Sequence, residues 1–370
     1  MAQAVAARGH QVGIFTTDQD GTDARLDVPL GVPIKSGDVD VYYFRADILK
    51  AWPAASFALG QALKERVQDY DIVHNHSLYL WNGLVGGHYC RKYGVPYLIR
   101  PCGALNPVIY HRHRPRKAVF ERLFERRNFR NAAAIHFTSQ DEMDNAARVM
   151  LFRKGLVIPL GLNLEEYAPP FNARALREAF PVLAGKRIVL FLSRLTSVKG
   201  LDLLIPAFAQ IAKAQSDVHL VLAGPDNEGY GSEVRRWVEA NGIADRVLFT
   251  GMLQGDLKSA ALHDAEMFVL PSYGESFGVA VIEAMASGLP VLISKYVAIW
   301  QDVEGAGAGV IVDNEIDKIA VGMRQTLGDV YSAKAMGERA KRLVTQHFSW
   351  LHVAEQLELA YLSILKESEM

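Results

Sequence analysis

Short apolar runs alternate with segments of helical periodicity along this chain. In its first part the apolar runs occupy residues 14–17, 41–44, 71–74, 96–100 and 132–137, and the helical patterns occupy residues 57–68, 78–92 and 117–131. Strands that alternate with helices are typical of a parallel sheet that is covered on both faces. The pattern therefore predicts an α/β domain built on a doubly wound parallel sheet.

The same rhythm restarts after a pause at residues 157–172, where prolines and glycines interrupt it. Further apolar runs follow at 187–193, 217–224, 246–251, 266–272 and 289–294, and residues 317–366 have a nearly continuous helical pattern. We predict an N-terminal domain over residues 1–168, a C-terminal domain over 169–345 and a final helix over 346–370 that packs back across both domains. Each domain is expected to be Rossmann-like, with a cleft between the two.

The beginning of the chain, MAQAVAARGHQVGIFTT, has the pattern of a helix end, a stop at Gly9 and then a strand. A doubly wound domain normally begins with a strand. We therefore expect the first strand of the N-terminal domain, and the loop after it, to be missing from this sequence.

Composition narrows the class of protein. The 370 residues suit two domains, half of them are hydrophobic, and the formal net charge of -1 gives no overall field that favours nucleic acid. The two cysteines, Cys90 and Cys102, form no disulfide framework and no CxxC metal motif, which is typical of a reducing compartment. No apolar run is long enough to span a membrane, and no signal-peptide pattern is present. We expect a cytoplasmic protein that does not bind nucleic acid.

Two glutamates stand out in the segment PSYGESFGVAVIEAMASGLPV at residues 271–291. The pattern predicts a strand end, a loop that holds Glu275 and a helix that begins near Gly278 and holds Glu283. At this spacing the two carboxylates are too far apart to act as the close pair of a glycosidase. We expect them to contact different parts of one ligand.

The start of that helix and a second loop both suit a diphosphate. The backbone N–H groups of Phe277, Gly278 and Val279 would lie at the positive end of the helix dipole. In FLSRLTSVKG, at residues 191–200, Arg194 and Lys199 follow a strand and precede a helix. The carboxyl ends of strands are where open α/β sheets bind their ligands.

These residues imply a division of roles in transfer from a nucleoside-diphosphate sugar. Arg194 and Lys199 would neutralise the diphosphate leaving group, Glu283 would accept hydrogen bonds from the ribose hydroxyls, and Glu275 would hold the donor sugar. Fixed cations and N–H groups stabilise the charge that develops as the diphosphate leaves. We therefore expect neither a metal ion nor a cofactor beyond the nucleotide sugar, which is a co-substrate.

With these motifs the chain resembles glycosyltransferase family 4, whose members carry a Glu-x7-Glu spacing like that of Glu275 and Glu283. Further matches are RLTSVKG (194–200), LAGPDNE (222–228), VLFTGML (247–253), VIPLGLNLEEYAP (157–169) and GVAVIEAMASGLPV (278–291). The resemblance covers nearly the whole chain. It implies the GT-B fold, in which two Rossmann-like domains face each other across a cleft.

The resemblance also implies an activity. Members of this family are retaining, metal-independent transferases that act by front-face displacement, and the donor nucleotide lies mainly on the C-terminal domain, with Gly251 and Met252 beside the base. The expected reaction moves a hexose to a glycan or to a lipid-linked saccharide in polysaccharide or glycoconjugate synthesis. The expected location is the cytoplasm or the inner face of the cytoplasmic membrane.

The sequence departs from the family pattern in two places. Typical members have a Gly-Gly loop after the first strand, and this sequence begins after both. In RPCGAL, at residues 100–105, Cys102 stands where a subset of relatives has a histidine that faces the donor sugar. His76, in DIVHNHS, is then the remaining candidate for a histidine near the acceptor.

A basic segment follows in the same half of the chain. Residues 110–131 hold eight Arg or Lys and two Glu, with apolar residues interleaved, which is typical of an amphipathic basic helix. Such a helix could contact an anionic membrane or bind an acceptor's phosphate. A solvated helix face above an ordinary core stripe is the alternative.

Other functions are weighed against transfer. The pairs His74 with His76 and His111 with His113 could suggest a metal site, but we expect paired rings to project to opposite strand faces, and no third ligand is evident. A nucleotide-sugar epimerase of the same fold would bind the donor and need no acceptor. A non-catalytic remnant would bind sugar or nucleotide without turnover.

Overall fold

The computed structural model describes residues 1–21, 24–47, 55–106, 110, 114–168 and 171–369. The chain forms two compact units, which we call the N-terminal unit (Met1–Gly161 with Trp350–Met370) and the C-terminal unit (Leu162–Ser349). The sequence pattern puts the corresponding boundaries at 168/169 and 345/346. None of the described helices is both long enough and apolar enough to cross a membrane.

The N-terminal unit contains three sheets and seven described α-helices. Its strands are β1 (Val12–Thr17), β2 (Gln19–Asp20), β3 (Ala24–Arg25), β4 (Pro33–Ser36), β5 (Val39–Phe44), β6 (Val73–His76), β7 (Tyr97–Arg100), β8 (Ala134–Phe137) and β9 (Gly155–Val157). Its helices are α1 (Ala2–Ala6), α2 (Phe57–Arg66), α3 (Trp81–Tyr93), α4 (Arg114–Phe120), α5 (Arg126–Asn131), α6 (Gln140–Ala147) and, at the end of the chain, α15 (Trp350–Glu369). A π-helical turn, Glu121–Glu125, joins α4 to α5.

Parallel pairing dominates the N-terminal unit. Strands β6, β7, β8 and β9 form a parallel sheet in that order, and β1 pairs in parallel with β5. The central strand β7 begins Tyr97-Leu98-Ile99, and these three residues are at most 2% exposed, because both faces of the sheet are covered. The antiparallel strand β4 beside β5 and the small β2–β3 ribbon are additions that the sequence pattern does not predict.

The last helix, α15, completes the core of the N-terminal unit. Its residues Val353 and Leu357 are at most 1% exposed and pack with Val5 and Ile158. Ile364, near the end of the same helix, packs in the cluster that holds Leu98 of β7. This unit is therefore assembled from both ends of the chain.

The C-terminal unit has one six-stranded parallel sheet. Its strands are β10 (Arg187–Leu192), β11 (Val218–Ala223), β12 (Val247–Gly251), β13 (Met267–Leu270), β14 (Val291–Ser294) and β15 (Gly309–Val312). Its helices are α7 (Ala175–Ala179), α8 (Leu201–Ala214), α9 (Gly231–Ala240), α10 (Gly255–Asp264), α11 (Val279–Ala286), α12 (Trp300–Gly305), α13 (Ile316–Gly328) and α14 (Val330–His347).

The strand order in this sheet is β12-β11-β10-β13-β14-β15. From β10 the chain first builds outward through β11 and β12, and it then returns to the other side of β10 to add β13, β14 and β15. The predicted doubly wound parallel fold is thus confirmed. The order of the strands reverses between β10 and β13, and such a switch point opens a crevice at the carboxyl ends of the two strands.

Candidate active site

The switch point of the C-terminal unit brings two predicted loops together. One loop follows β10 and carries Arg194 and Lys199, and the other follows β13 and carries Glu275. The two strands pair directly, so their loops leave the sheet side by side. The Tyr273 N–H and the Ser272 hydroxyl both donate to the carbonyl of Val198, at 2.7 and 2.8 Å.

Gly200 allows the two loops to approach this closely. Its φ of 72° is in the left-handed region, and a Cβ at this position would lie 1.9 Å from the carbonyl oxygen of Pro271. Only glycine meets both requirements, because any other residue would strain its backbone and collide with the neighbouring chain. The glycine that ends the RLTSVKG motif therefore fixes the position of Lys199 beside it.

Lys199 and Glu275 form an ion pair. Their side chains are 10% and 21% exposed, so the pair is largely shielded from water. Opposite charges attract more strongly in such a setting than at an open surface. Two residues that the sequence assigns to different parts of one ligand are thus bonded to each other.

The backbone of Glu275 is held on both sides. Its N–H donates to the carbonyl of Tyr296 at 2.9 Å, and its own carbonyl accepts from the N–H of Ala298 at 3.0 Å. These bonds attach the Glu275 loop to the loop that follows β14. The carboxylate therefore projects from a fixed position.

Glu283 lies on α11 and is also engaged. Its Oε1 accepts a hydrogen bond from the Tyr167 hydroxyl at 2.8 Å and one from Lys258 Nζ at 3.0 Å. Burial, together with the nearby Glu283 carboxylate, raises the pKa of Tyr167 above its usual range. Within the described part of the chain Oε2 of Glu283 accepts no hydrogen bond, so one carboxylate oxygen is available to a ligand.

Sequence reasoning missed Tyr167 and Lys258. Tyr167 lies in the motif VIPLGLNLEEYAP, and Lys258 lies on α10, far from Glu283 in the sequence. Neither position has a local pattern that points to Glu283, since the three residues meet only through tertiary packing.

The first turn of α11 presents unused backbone donors. The helix begins at Val279, after Gly278 in the left-handed conformation with φ of 97°. Among the described residues, no acceptor is found for the N–H groups of Phe277, Gly278 and Val279. The Phe277 ring is buried and contacts the edge of Phe348, with 5.7 Å between ring centroids, which anchors the turn. Unsatisfied N–H groups at a helix start favour an anion.

The remaining predicted residues of this unit lie at the carboxyl ends of the neighbouring strands. Arg194 is exposed, and its guanidinium makes no ion pair or side-chain hydrogen bond in the part of the chain described here. Gly251 ends β12, its carbonyl accepts from the Gly224 N–H at 2.8 Å, and Met252 after it is 63% exposed. All these residues line one edge of the sheet or the helix that leaves it.

His76 and Cys102 belong to the N-terminal unit. His76 ends β6, and Cys102 lies in the turn after the neighbouring strand β7. Cys102 is exposed and has a φ of 54°, while Ser77, next to His76, has a φ of 72°. Non-glycine residues in this conformation are uncommon and persist where the surrounding structure holds them. Their roles toward a substrate stay predictions.

The expectation that His74 and His76 project to opposite faces is wrong. Positions two apart on a strand share a face, and the two ring centroids are 4.7 Å apart. His136 joins them, with its Nδ1 at 3.3 Å from Nε2 of His74, and the Tyr361 hydroxyl bonds Nδ1 of His74 at 2.8 Å. These ring nitrogens bond to each other and to protein groups.

The imidazoles of this cluster are held neutral. Burial, with the Arg100 guanidinium as the next contribution, lowers the pKa of His76 to about 3. Burial lowers the pKa of His136 to about 4, against an opposing hydrogen bond with the carbonyl of Ile158. No group of three or more possible ligands is arranged for a metal ion among the described residues, and His111 and His113 lie outside them.

Comparison with protein families matches both halves of the chain. Residues 1–161 match the family described as "Glycosyl transferase 4-like domain", and residues 173–343 match "Glycosyl transferases group 1". Together the two matches leave only a short connection and the end of the chain uncovered.

Named relatives are glycosyltransferases. A D-inositol 3-phosphate glycosyltransferase from Corynebacterium diphtheriae is 27% identical over 83% of this chain and 74% of its own length. A GDP-mannose-dependent alpha-(1-6)-phosphatidylinositol monomannoside mannosyltransferase from Mycobacterium tuberculosis is 30% identical over 54% of each chain. An uncharacterized glycosyltransferase from Methanocaldococcus jannaschii is 28% identical over 50% of this chain. The aligned part spans about half the length of the last two relatives.

Solved structures agree over nearly the whole chain. Sucrose-phosphate synthase from Thermosynechococcus elongatus superposes with a TM-score of 0.79 and 26% identity, covering 99% of this chain and 92% of that one. Anabaena HepE, solved in complex with UDP and glucose, gives a TM-score of 0.75 with 20% identity, covering 96% and 100%. The fold, the matched families and the named relatives agree, and the protein belongs to the GT-B glycosyltransferases of the family 4 type.

Proposed function

We propose that the protein is a retaining hexosyltransferase that uses a nucleoside-diphosphate sugar and needs no metal ion. The observation that carries this proposal is the Lys199–Glu275 ion pair at the switch point. It lies beside the first N–H groups of α11, for which the described part of the chain offers no acceptor. A diphosphate would take the N–H groups and the Lys199 ammonium, which frees Glu275 to accept hydrogen bonds from the donor sugar.

The donor is proposed to lie along the carboxyl edge of the C-terminal sheet. Arg194 and Lys199 would contact the diphosphate, Oε2 of Glu283 would accept from the ribose hydroxyls, and Gly251 with Met252 would lie beside the base. Anabaena HepE in complex with UDP supports a nucleoside diphosphate as the ligand class. Arg194 is exposed and has no ion pair with any residue that the structure describes, which supports an anionic ligand at this edge.

The proposed transfer breaks the bond between the anomeric carbon and the diphosphate oxygen. The acceptor oxygen forms its bond to the same carbon on the same face of the sugar, and the acceptor's hydroxyl proton passes to the departing diphosphate. Negative charge grows on the diphosphate as it leaves. Arg194, Lys199 and the first N–H groups of α11 would stabilise that charge in the transition state, the role that a divalent cation has in other transferases.

The acceptor is proposed to be a glycan or a lipid-linked saccharide in polysaccharide or glycoconjugate synthesis. A relative named as a phosphatidylinositol monomannoside mannosyltransferase supports an acceptor that is held at a membrane. His76 and Cys102 would then lie on the acceptor side, and the enzyme would work at the inner face of the cytoplasmic membrane.

The test is thermal stability in EDTA with UDP, GDP and ADP and with their hexose conjugates. A ligand at roughly 100 times its Kd adds about 2.7 kcal/mol to the folded state. A selective rise in melting temperature, followed by sugar transfer in EDTA with the anomeric configuration kept, is the expected result. An inverted product, or activity that returns only with Mg²⁺ or Mn²⁺, would overturn the proposal. An epimerised nucleotide sugar, or binding without turnover, would favour the rival functions.

A further inference from the structure

The helical segment at residues 114–131 buries carboxylates on its inner side. Glu121 and Glu125 are each 2% exposed. The Tyr79 hydroxyl donates to Glu121 at 2.8 Å, the Tyr79 N–H donates to Glu125 at 2.8 Å, and the Tyr110 hydroxyl donates to Glu121 at 3.1 Å. Burial raises the pKa of Glu125 to about 6. The two carboxylates of this segment therefore face the protein interior.

Its outer side carries three large apolar residues. Val119 is 61% exposed, Leu123 is 62% exposed and Phe124 is 42% exposed. An ordinary surface helix keeps its large apolar residues toward the core, whereas these three side chains face water. Water is thus an unfavourable neighbour for this side of the helix.

The helix cannot turn its apolar residues inward at low cost. Rotation would break the bonds of Tyr79 and Tyr110 to the two carboxylates, and it would also break the bond from Asn128 to the carbonyl of Gly83 at 3.3 Å. Each broken bond would leave a buried polar group unsatisfied. The free-energy cost of such a group exceeds the net stabilisation that one hydrogen bond provides. The outward position of Val119 and Leu123 is therefore fixed by the interior of the N-terminal unit.

Four arginines surround the exposed apolar residues. Arg122, Arg126, Arg127 and Arg130 are exposed, and for none of them is an ion pair or a side-chain hydrogen bond found in the described part of the chain. Residues three or four apart on a helix are neighbours, so the arginines lie next to Val119 and Leu123 along one face. We call Val119, Arg122, Leu123, Phe124, Arg126, Arg127 and Arg130 the docking face.

We propose that the docking face binds an anionic lipid bilayer. Val119, Leu123 and Phe124 enter the boundary between headgroups and acyl chains, and the arginines reach the lipid phosphates. A second copy of this chain fits the face poorly, because the same four cations would meet in a symmetric contact. Residues 111–113 of the basic segment lie outside the described residues and are not needed.

This inference is independent of the donor chemistry, because vesicle binding is measured without nucleotide. The experiment is cosedimentation of the whole protein with vesicles of phosphatidylcholine alone and of phosphatidylcholine mixed equally with phosphatidylglycerol. We expect strong binding only to the anionic vesicles, weakened by added salt. The double variant R126Q/R127Q should lower the partition coefficient roughly 30-fold, because each arginine near an anionic surface contributes roughly fivefold.

Matched variants at other exposed positions test whether the loss of binding is specific to the docking face. R324Q/R342Q removes two exposed arginines from the C-terminal unit, and L359S replaces a leucine of α15 that is 62% exposed, as Leu123 is. Both should bind anionic vesicles like the wild type, whereas L123S should bind roughly tenfold more weakly because it loses apolar burial.

Three outcomes would overturn the proposal. One is equal binding to both kinds of vesicle or to neither, and another is an unchanged partition coefficient in R126Q/R127Q. The third is a wild-type dimer in analytical ultracentrifugation that L123S converts to a monomer, since this would assign the face to a second copy. Circular dichroism and melting temperature, expected to be unchanged for exposed positions, show that each variant is folded.

Discussion

The carboxyl edges of the two parallel sheets differ in how their charged groups are paired. In the C-terminal unit two lysines are paired within the protein, Lys199 with Glu275 and Lys258 with Glu283. In the N-terminal unit neutral histidines lie near Arg100, whose buried Nε has no partner in the described part of the chain. An anion that binds Lys199 must displace Glu275, whereas an anion beside Arg100 would meet a guanidinium Nε that has no partner among the described residues.

The largest effect is expected from breaking the Lys199–Glu275 pair. Lys199→Ala and Glu275→Ala should each lower transfer by about 10³-fold, because each removes a transition-state contact in a shielded site. Steady-state transfer rates measure the loss. Glu304→Ala, an exposed acid on α12 of the same unit, is the control and should keep full activity. A transfer rate within tenfold of the wild type in either variant would show that the substituted residue does not contact the transition state.

The next effect concerns the glycine that joins the two loops. Gly200→Ala should reduce the free energy of unfolding by about 3 kcal/mol or more, since a left-handed backbone and a collision with Pro271 add together. Gly185→Ala is the matched control, because Gly185 has a φ of 69° and open space around it. It should lose only about 1 kcal/mol, for backbone strain alone. Chemical denaturation measures both, and equal losses would mean that the contact with Pro271 has no energetic role.

The histidine cluster predicts acid sensitivity in the N-terminal unit. His136 has a folded pKa of about 4, below its unfolded value, so the stability it contributes is present above about pH 6.5 and is lost as pH falls toward 4. At pH 5 the loss from this group should be roughly 2 kcal/mol. His136→Gln, whose amide can still donate to Ile158, should lessen the fall in unfolding free energy between pH 7 and pH 5 by roughly 2 kcal/mol, while the contribution of His76 remains. His88→Gln, at an exposed position on α3, is the matched control for the loss of an imidazole.

The smallest effect concerns Tyr167 and Lys258. Both side chains bond Oε1 of Glu283, and this positions Oε2 for the proposed ribose. Tyr167→Phe and Lys258→Met should therefore each weaken the binding of the ribose hydroxyls about tenfold. Isothermal titration compares the preferred nucleoside diphosphate with its 2′,3′-dideoxy analogue. The preference of the wild type for the ribonucleotide should shrink in the variants. An equal loss for both ligands would indicate a structural role only.

Local patterns predicted the strands and helices that carry the C-terminal site. The apolar runs at 187–193 and 266–272 became β10 and β13, and the helix predicted to begin near Gly278 begins at Val279. Strand periodicity and helix-start signals depend on neighbours in the sequence, so they can be detected without an alignment. The same is true of the loops that hold Lys199 and Glu275.

Pairings between distant segments could not be predicted in this way. Nothing near Tyr167 or Lys258 indicates that both bond Glu283, and nothing near Glu121 indicates that Tyr79 will turn it inward. The basic helix is an instructive case, because its composition suggested amphipathicity and its orientation was set by buried hydrogen bonds. Orientation of that kind depends on tertiary contacts, which a single sequence does not display.

The last helix makes the order of synthesis matter for folding. Because α15 supplies Val353, Leu357 and Ile364 to the core of the N-terminal unit, the core of that unit is incomplete until α15 has been synthesised. The C-terminal unit is continuous from Leu162 to Ser349, so all of its strands are synthesised before α15. N-terminal domains usually fold first during synthesis, and we expect the reverse order here. Until α15 is made, apolar surface of the N-terminal unit stays exposed to solvent and accessible to chaperones.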